Sequence, residues 1–260
     1  MKQTRRGFGV AGALDHEIVS EIIFEIERAG YTSFWANDTP AGDGLASLAI
    51  AAPMTTSIQL GVGLIAVDRV PAEVILERID ALHLPVNRLT VGIGSGGTRK
   101  GALDLVREAA GTLRAAGVKV VVGALGPKMI ELSGSETDGA LLNWLTPVAA
   151  ERSIDDLRVA ASGKPVEAIA YVRVAFANGA LAKLESEALR YESYPQYAAH
   201  FERMGVRAID TCVSGPTAAA IQAGLAGFDE VVDETVVRAI VAEELASNYL
   251  DLVRAAAPED

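Results

Sequence analysis

The segment best suited to binding a small anion is residues 123–129, Gly-Ala-Leu-Gly-Pro-Lys-Met. Its small residues and proline predict a tight turn that leads into a helix, so backbone N–H groups of the first helical turn can converge on one anionic group. Lys128 adds a positive charge. The residues alone support a second interpretation equally well: Gly-Pro only forms a turn, and the Lys128 side chain is solvated.

A second glycine-rich turn, residues 92–97, has the spacing G-x-G-x-x-G at Gly92, Gly94 and Gly97. It follows a predicted strand and precedes a predicted helix, as the dinucleotide-binding fingerprint does. That fingerprint also needs an acidic residue at the end of the next strand, where this chain has Gly123 and Ala124. A Rossmann-type dehydrogenase is therefore disfavoured. The remaining alternatives are a turn that needs glycine for positive φ and a loop that lines a cofactor.

Asn37 and Asp38 form a polar pair at the predicted end of the second strand. A carboxylate there can accept a hydrogen bond from a ring N–H or a hydroxyl. The competing interpretation, which the residues alone favour, is that Asp38 begins the turn Asp-Thr-Pro because aspartate stabilises turns.

Other common catalytic arrangements are missing from the sequence. His16, His83 and His200 lie in or near predicted helices, away from the carboxyl ends of strands, and have no partner at metal-ligand spacing, so we expect no metal site. There is no G-x-S-x-G motif. The single cysteine, Cys212, is expected to be a small buried hydrophobe, and its isolation fits a reducing compartment.

Composition narrows the class of partner. The chain has 260 residues, 50% of them hydrophobic, and a net charge of −11. Such an acidic protein repels phosphate backbones, so nucleic acid is not an expected partner. Residues 4–8 resemble a twin-arginine export start, but no apolar run of signal-peptide length follows, and no window reaches the ~18 apolar residues of a membrane span. We expect a cytoplasmic protein that binds a small-molecule substrate and no membrane.

The elements that must position these residues alternate between strand and helix about eight times. Helix starts are predicted at Asp15, Asp43, Pro71 and Thr146. The strands are continuous apolar runs, which is typical of parallel strands buried on both faces. Eight such units without a domain-sized linker predict one α/β domain over residues 1–260, a (β/α)8 TIM barrel. The predicted strands lie near residues 8–11, 33–36, 58–67, 88–93, 118–122, 140–142, 166–176 and 235–240.

In such a barrel, functional groups collect at the carboxyl ends of the strands. The predicted strand ends bring together Asn37 and Asp38, residues 64–69, both glycine-rich turns, and Asn143 with Trp144. Arg238 lies in or near the last strand.

Two motifs resemble a known family: Ala-Leu-Gly-Pro-Lys-Met at 124–129 and Asp-Gly-Ala-Leu-Leu-Asn-Trp at 138–144. Together with residues 29–38, 61–71 and 91–96, they are similar to the luciferase-like oxidoreductases, in particular the branch dependent on coenzyme F-420 that includes methylene-tetrahydromethanopterin reductase. The resemblance covers most of the chain and implies the same barrel fold.

The resemblance also implies an oxidoreductase that binds F-420, or alternatively FMN, and transfers a hydride to or from an organic substrate. Asp38 would face the polar edge of the ring, Gly63 and Leu64 would form a bulge that supports it, in several members with a cis peptide, and Asn143 would lie nearby. The phosphate-bearing tail would contact Ala124, Leu125, Gly126, Pro127 and Lys128. The resemblance assigns no catalytic residue; Tyr31 and Trp144 are possible walls of the pocket.

Three features depart from the family pattern. The segment between the fourth and fifth strands is short, which predicts a small lid. The histidine that follows the second strand in luciferases is replaced by Asp-Thr-Pro, and the substrate-phosphate lysines of the sugar-phosphate dehydrogenase branch cannot be placed in this sequence. Alternatives are therefore an FMN-dependent monooxygenase or a non-catalytic flavin-binding protein. A homodimer is expected, because family members pair through early helices and residues 22–24 are apolar.

Overall fold

A computed structural model describes residues 5–259, which form an eight-stranded parallel barrel surrounded by helices. The barrel closes because β6 pairs with β7 as well as with β5. The strands are β1 (Arg5–Val10), β2 (Ser33–Ala36), β3 (Gln59–Ala66), β4 (Leu89–Gly94), β5 (Lys119–Gly123), β6 (Gly139–Asn143), β7 (Glu167–Phe176), β8 (Val213–Gly215) and β9 (Glu234–Ile240). The helices are α1 (His16–Arg28), α2 (Gly44–Ala51), α3 (Ala72–Ala81), α4 (Ala102–Ala115), α5 (Pro127–Glu136), α6 (Pro147–Ala161), α7 (Asn178–Glu192), α8 (Pro195–Met204), α9 (Ala218–Val231) and α10 (Ala246–Ala255). The predicted TIM barrel is confirmed.

The strand β8 was not predicted and is not a barrel strand. It pairs only with the last residues of β7, beyond the point where β6 ends. Its three residues include a serine and a glycine, so no apolar run identifies it. β8 lies beside the carboxyl-terminal end of β7, and the chain continues from it into α9.

Three of the four predicted helix starts follow from side-chain capping, whereas Pro71 at the N-cap of α3 provides no capping side chain. Asp15 accepts a hydrogen bond from the Glu17 amide at 2.8 Å, and Asp43 accepts one from the Ala46 amide at 3.1 Å. Thr146 caps α6 in the same way. Each bond satisfies a backbone donor that has no partner inside the helix.

Two helices differ from their predicted extents. α5 is longer than the predicted residues 129–132 because packing against α6 stabilises its serine- and glycine-containing second half. α10 begins at Ala246 rather than near 242, since the preceding residues form a loop.

The core has two layers. The larger lies between the outer surface of the barrel and the helices. The smaller fills the barrel and contains Trp35, Val121, Leu141, Ile169, Tyr171 and Val236, with Leu64 packed against it. Side chains alternate inward and outward along each strand, so the inward residues above this layer form the floor of the barrel mouth.

The apolar helix expected to pair in a dimer is mostly buried within its own chain. Ile22 and Ile23 are inaccessible, and only Phe24, 63% exposed, faces outward. The homodimer remains a prediction. Among residues 5–259, no helix combines the length and apolarity required to cross a membrane.

Candidate functional site

A cavity of about 450 Å³ opens at the carboxyl ends of β3–β6, within the roughly 300–1,000 Å³ typical of small-molecule sites. Five of the predicted cofactor-binding residues line it: Leu64, Ala124, Leu125, Gly126 and Asn143. The wall is completed by Ala66, Gly94, Ser95, Gly96, Gly97, Thr98, Arg99, Gly123, Met129, Leu141, Gln196 and Tyr197. The structure thus brings both predicted glycine-rich turns to one cavity.

The predicted bulge in β3 is present. The pairing of β3 with β4 shifts register between Val62 and Ile65, and the Gly63–Leu64 peptide bond is cis. The Asn37 side-chain amide donates to the Gly63 carbonyl at 2.8 Å. The bulge is therefore held from β2, and the Leu64 side chain faces the cavity.

Space for Leu64 is provided by a glycine on β5. A Cβ atom added to Gly123 would lie 2.1 Å from Leu64 Cδ1, which is far inside van der Waals contact. Gly123 therefore allows the Leu64 side chain to lie across the neck of the cavity, where it forms an apolar surface above the barrel core.

The turn after β4 is held by Asp68, a residue that follows β3. The Asp68 carboxylate accepts hydrogen bonds from the Gly97 amide at 2.8 Å and from the Thr98 hydroxyl at 3.4 Å. Gly96 has φ +61°, and a Cβ there would lie 1.9 Å from Asp68 Oδ1. Position 96 therefore requires glycine, both because its φ is positive and because Asp68 leaves no room for a Cβ atom. Because Asp68 occupies the Gly97 amide, this turn lines the cavity without offering that amide to an anionic ligand.

The first turn of α5 is better suited to an anion. Its N-cap is Gly126, and no side chain caps it, so the positive end of the helix remains available. Pro127 and Lys128 do not line the main cavity; they line an adjoining groove of about 680 Å³. The predicted tail-binding segment is therefore divided between the two spaces.

Arg99 is a cation that sequence reasoning missed. It lines both the cavity and the adjoining groove, whereas Lys128 lines the groove alone. Its only sequence signal is a basic residue five positions beyond the end of β4, near the predicted start of a helix. Its place in the fold thus brings a cationic residue to the border of both spaces.

Asp38 has partners within the protein. Its carboxylate forms an ion pair with Arg69 and accepts a hydrogen bond from the Gly44 amide at 3.4 Å. The side chain is only 6% exposed and is not part of the cavity wall. Contact between Asp38 and a cofactor stays a prediction, and the geometry fits the turn-stabilising alternative.

Asn143 belongs to a buried polar network at the mouth. Arg173 donates to Asn143 Oδ1 at 2.7 Å and to Glu187 Oε1 at 2.6 Å. Its guanidinium lies 3.6 Å from the centroid of the Trp144 ring, a cation–π contact. Burial raises the pKa of Glu187, but Arg173, Arg238 and Arg190 outweigh burial and lower the pKa overall.

The opposite side of the mouth contains a second arginine. Arg238 Nε donates to Asn37 Oδ1 at 2.7 Å, so Asn37 links Arg238 to the bulge. Asn37, Asn143, Arg173 and Arg238 make one half of the mouth polar, whereas glycines and Leu64 make the other half open and apolar. Below them, the buried Tyr171 hydroxyl has no hydrogen-bond partner among residues 5–259.

The cover of the cavity comes from α8. The predicted lid between β4 and β5 is short, as expected, but Gln196 and Tyr197 of α8 line the cavity. Burial raises the pKa of Tyr197 to about 12, so its hydroxyl is protonated at neutral pH. Tyr31, a possible pocket wall, lies instead against Phe8 and donates to the Val253 carbonyl at 3.0 Å. Trp144 is buried beneath Arg173 and does not line the cavity.

His200 was expected to lie away from the strand ends, and this expectation is wrong. Its Nδ1 lies 3.1 Å from the Leu125 carbonyl oxygen and its Nε2 lies 2.9 Å from that of Trp144. Arg203 also donates to the Leu125 carbonyl at 2.8 Å. α8 is therefore attached to the turns that follow β5 and β6. The sequence did not reveal this because α8 is far from both turns in the chain.

No metal-binding cluster of three or more His, Cys, Asp or Glu side chains is present among residues 5–259. Cys212 is partly accessible rather than fully buried, and burial raises the pKa of its thiol to about 11. It is therefore not an activated nucleophile.

Comparison with known proteins shows the fold. No protein-family model and no curated protein sequence matches the chain. Among solved structures, it is similar to an F-420-dependent secondary alcohol dehydrogenase in complex with an F-420–acetone adduct, with a TM-score of 0.75, 15% identity and coverage of 98% of this chain and 99% of that one.

Two further structures extend the likeness. The F-420-dependent tetrahydromethanopterin reductase from Methanopyrus kandleri gives a TM-score of 0.74 at 15% identity, with 97% of each chain covered. The oxygenating constituent of 3,6-diketocamphane monooxygenase from Pseudomonas putida, in complex with FMN, gives 0.74 at 11% identity, with 99% of this chain and 97% of that one covered. The chain thus spans nearly the whole length of each barrel.

Proposed function

We propose that this protein is an oxidoreductase that binds coenzyme F-420 in the cavity at the ends of β3–β6 and supports hydride transfer to or from an organic substrate. The observation that carries the proposal is the combination of the Leu64 bulge and the uncapped start of α5 on one cavity. The solved structures of this fold include proteins described as F-420-dependent or FMN-bound.

The residues present fit a flat, partly apolar ring. Leu64, Leu141 and Ala124 offer apolar surface, and the glycines at the ends of β4 and β5 leave room beside it. Asn143 lies at the edge of the cavity as a polar group. Small-molecule sites typically combine such apolar walls with a few polar groups that fix orientation.

The residues also fit a phosphate. In the first turn of α5, Pro127 has no N–H and the Met129 amide donates to the Gly126 carbonyl at 3.0 Å, so the Lys128 amide is the donor left for an anion. Arg99 lies at the junction of the cavity and the adjoining groove. The groove allows an extended tail to continue past Pro127 and Lys128. A strongly acidic protein needs such local positive groups to hold an anionic coenzyme.

The coenzyme would supply the hydride chemistry, and the protein would orient the reactants and exclude water. Gln196 and Tyr197 cover the cavity from α8. Because the Tyr197 hydroxyl stays protonated at neutral pH, it can donate a hydrogen bond to a substrate oxygen. No catalytic residue is assigned beyond this positioning.

A non-catalytic flavin- or deazaflavin-binding protein is the second candidate. One observation favours it: among the described residues that line the cavity, there is no Asp, Glu, His, Cys or Lys. An FMN-dependent monooxygenase is a third alternative. The motifs at 124–129 and 138–144, which resemble the F-420 branch, favour F-420.

The test is a fluorescence titration of the apo-protein with F-420 and, separately, with FMN. Tighter binding of F-420 supports the proposal, and turnover of carbonyl or alcohol substrates with bound F-420 separates an enzyme from a carrier. Tight binding of FMN with weak binding of F-420 would instead support a flavin-dependent function. If neither binds, the proposal fails.

A further inference from the structure

A second cavity, of about 260 Å³, lies on the other side of the barrel mouth. It is bounded by the carboxyl end of β9, by α7 and by Tyr249 of α10. It shares no lining residue with the cavity proposed for the coenzyme. It thus belongs to the functional end of the barrel but is a separate space.

One face of α7 lines this cavity. Lys183, Ser186, Glu187 and Arg190 stand at positions i, i+3, i+4 and i+7, which place them on one side of a helix. Arg238 faces the same space from β9. Three cationic side chains from two elements therefore meet at one cavity.

The wall of this cavity carries three cationic and two carboxylate side chains. Glu187 is bound to Arg173, and Glu244 is the other carboxylate in the wall. No carboxylate of residues 5–259 forms an ion pair with Lys183, Arg190 or Arg238; Arg238 instead donates to Asn37 and to the Ala239 carbonyl. In a chain with a net charge of −11, the wall of this cavity therefore has a local excess of cations, and the exposed side chains of Lys183 and Arg190 are accessible to a ligand.

We infer that this cavity binds the anionic group, a carboxylate or a phosphate, of a small organic substrate. Arginine and lysine side chains recognise both groups through charge-assisted hydrogen bonds. The inference rests on the proposed function in one respect, since it assigns the ligand as the substrate of the same barrel mouth.

The position of Arg238 connects the two cavities. Its guanidinium lines the anion cavity, while its Nε holds Asn37, which in turn holds the Gly63 carbonyl beside Leu64. A substrate anchored at Lys183 and Arg190 could therefore extend across the mouth toward the Leu64 bulge. Arg238 is also a positioning residue for the bulge, so it is unsuitable as the residue to mutate.

The test measures the dissociation constants of succinate, glycerol 3-phosphate and glycerol by calorimetry or NMR, without coenzyme and at constant ionic strength. The double variant Lys183→Ala/Arg190→Ala is compared with Arg152→Ala/Lys164→Ala, which makes the same change in net charge at exposed residues outside this cavity. The wild type should bind at least one of the two anions and not glycerol. The first variant should bind at least about tenfold more weakly, the order expected for one lost charge-assisted hydrogen bond, and the second should bind like the wild type.

Selective loss supports the inference, and the anion that binds shows which group the substrate carries. Absence of saturable anion binding by the wild type, or equal weakening in both variants, would overturn it. Titration of the same variants with F-420 keeps the two proposals apart. Anion binding without any coenzyme binding rejects the proposed function alone, whereas weaker F-420 binding in the Lys183→Ala/Arg190→Ala variant would assign this cavity to the coenzyme and reject a substrate site.

Discussion

Arg99 and Lys128 differ in what they can contact, although both are cations close to the first turn of α5. Arg99 lines the cavity and the groove, and Lys128 lines only the groove. We expect Arg99→Ala to weaken F-420 binding about tenfold or more, since a hydrogen bond to a charged group contributes roughly 1.5–3 kcal/mol. Lys128→Ala should change the affinity less. Fluorescence titration of both variants measures the two affinities. A larger loss of affinity in Lys128→Ala than in Arg99→Ala would show that Lys128 is the main partner of the phosphate.

Gly123 offers a test of the Leu64 surface. In Gly123→Ala, the added methyl group must displace the Leu64 side chain, so coenzyme affinity should fall about tenfold or more, while overpacking should cost roughly 1–3 kcal/mol of stability. Gly111→Ala is the control. This residue lies in α4 with open space around it, and the change should add about 0.5–1 kcal/mol to the free energy of unfolding.

Denaturant unfolding and coenzyme titration measure both quantities. Unchanged affinity in a folded Gly123→Ala protein would show that Leu64 does not touch the coenzyme.

At the residue scale, the sequence predicts site residues that directly follow a strand and does not predict site residues that come from a distant helix. Leu64, Ala124 and Asn143 were predictable because parallel strands end at the same edge of a barrel. Tyr197, which lines the cavity, and His200, which contacts the Leu125 and Trp144 carbonyls, were not predictable, because both come from a helix that is distant in the chain. The ion pair between Asp38 and Arg69 was also not predictable, because the sequence around a turn residue does not indicate which cation it pairs with.

At the scale of elements, the attachment of α8 depends on the protonation of His200. Both ring nitrogens face carbonyl oxygens, and a neutral imidazole has one N–H to donate. Burial lowers the pKa of His200 below the ordinary value of 6.5 for a histidine side chain, and Arg203 lowers it further, whereas the two backbone hydrogen bonds raise it. The folded protein therefore resists protonation of this residue.

The pH dependence follows from this direction. Since the folded state binds the proton less tightly than the unfolded state does, the contribution of His200 to stability is fully present above pH 6.5 and is lost as the pH falls through the lower folded pKa. The loss is at most about 1.4 kcal/mol per pH unit. Unfolding curves of the wild type, His200→Gln and the exposed-residue control His16→Gln should show a smaller loss of stability between pH 7 and about pH 5 in His200→Gln than in the other two proteins. An equal loss of stability in His200→Gln and in the wild type over this pH range would contradict the assignment.

The strands and helices themselves were predicted well because capping residues and apolar runs are local signals. Asp15, Asp43 and Thr146 cap their helices as expected. The failures, β8 and the full length of α5, lie where pairing and packing between distant segments override weak local preferences.

At the scale of the whole molecule, the barrel mouth is divided between two cavities joined by a polar network. The glycine-rich half, at the ends of β3–β5, leaves space, and the half formed by β7 and β9 supplies Arg173 and Arg238. An acidic protein thus places several cationic side chains near the carboxyl ends of its strands. This division explains how one barrel mouth could hold a coenzyme and an anionic substrate side by side.

The two tryptophans of the chain, Trp35 and Trp144, are both buried near this mouth, one in the barrel interior below Leu64 and one beneath Arg173. Intrinsic emission of the whole protein therefore originates next to the proposed coenzyme cavity. A bound chromophore that absorbs in the near ultraviolet should quench most of this emission by energy transfer, and Trp35→Phe and Trp144→Phe should each retain a quenched signal from the other indole. The protein would then report its own occupancy without any added label, and emission that stays constant while coenzyme binds would place the ligand outside the barrel mouth.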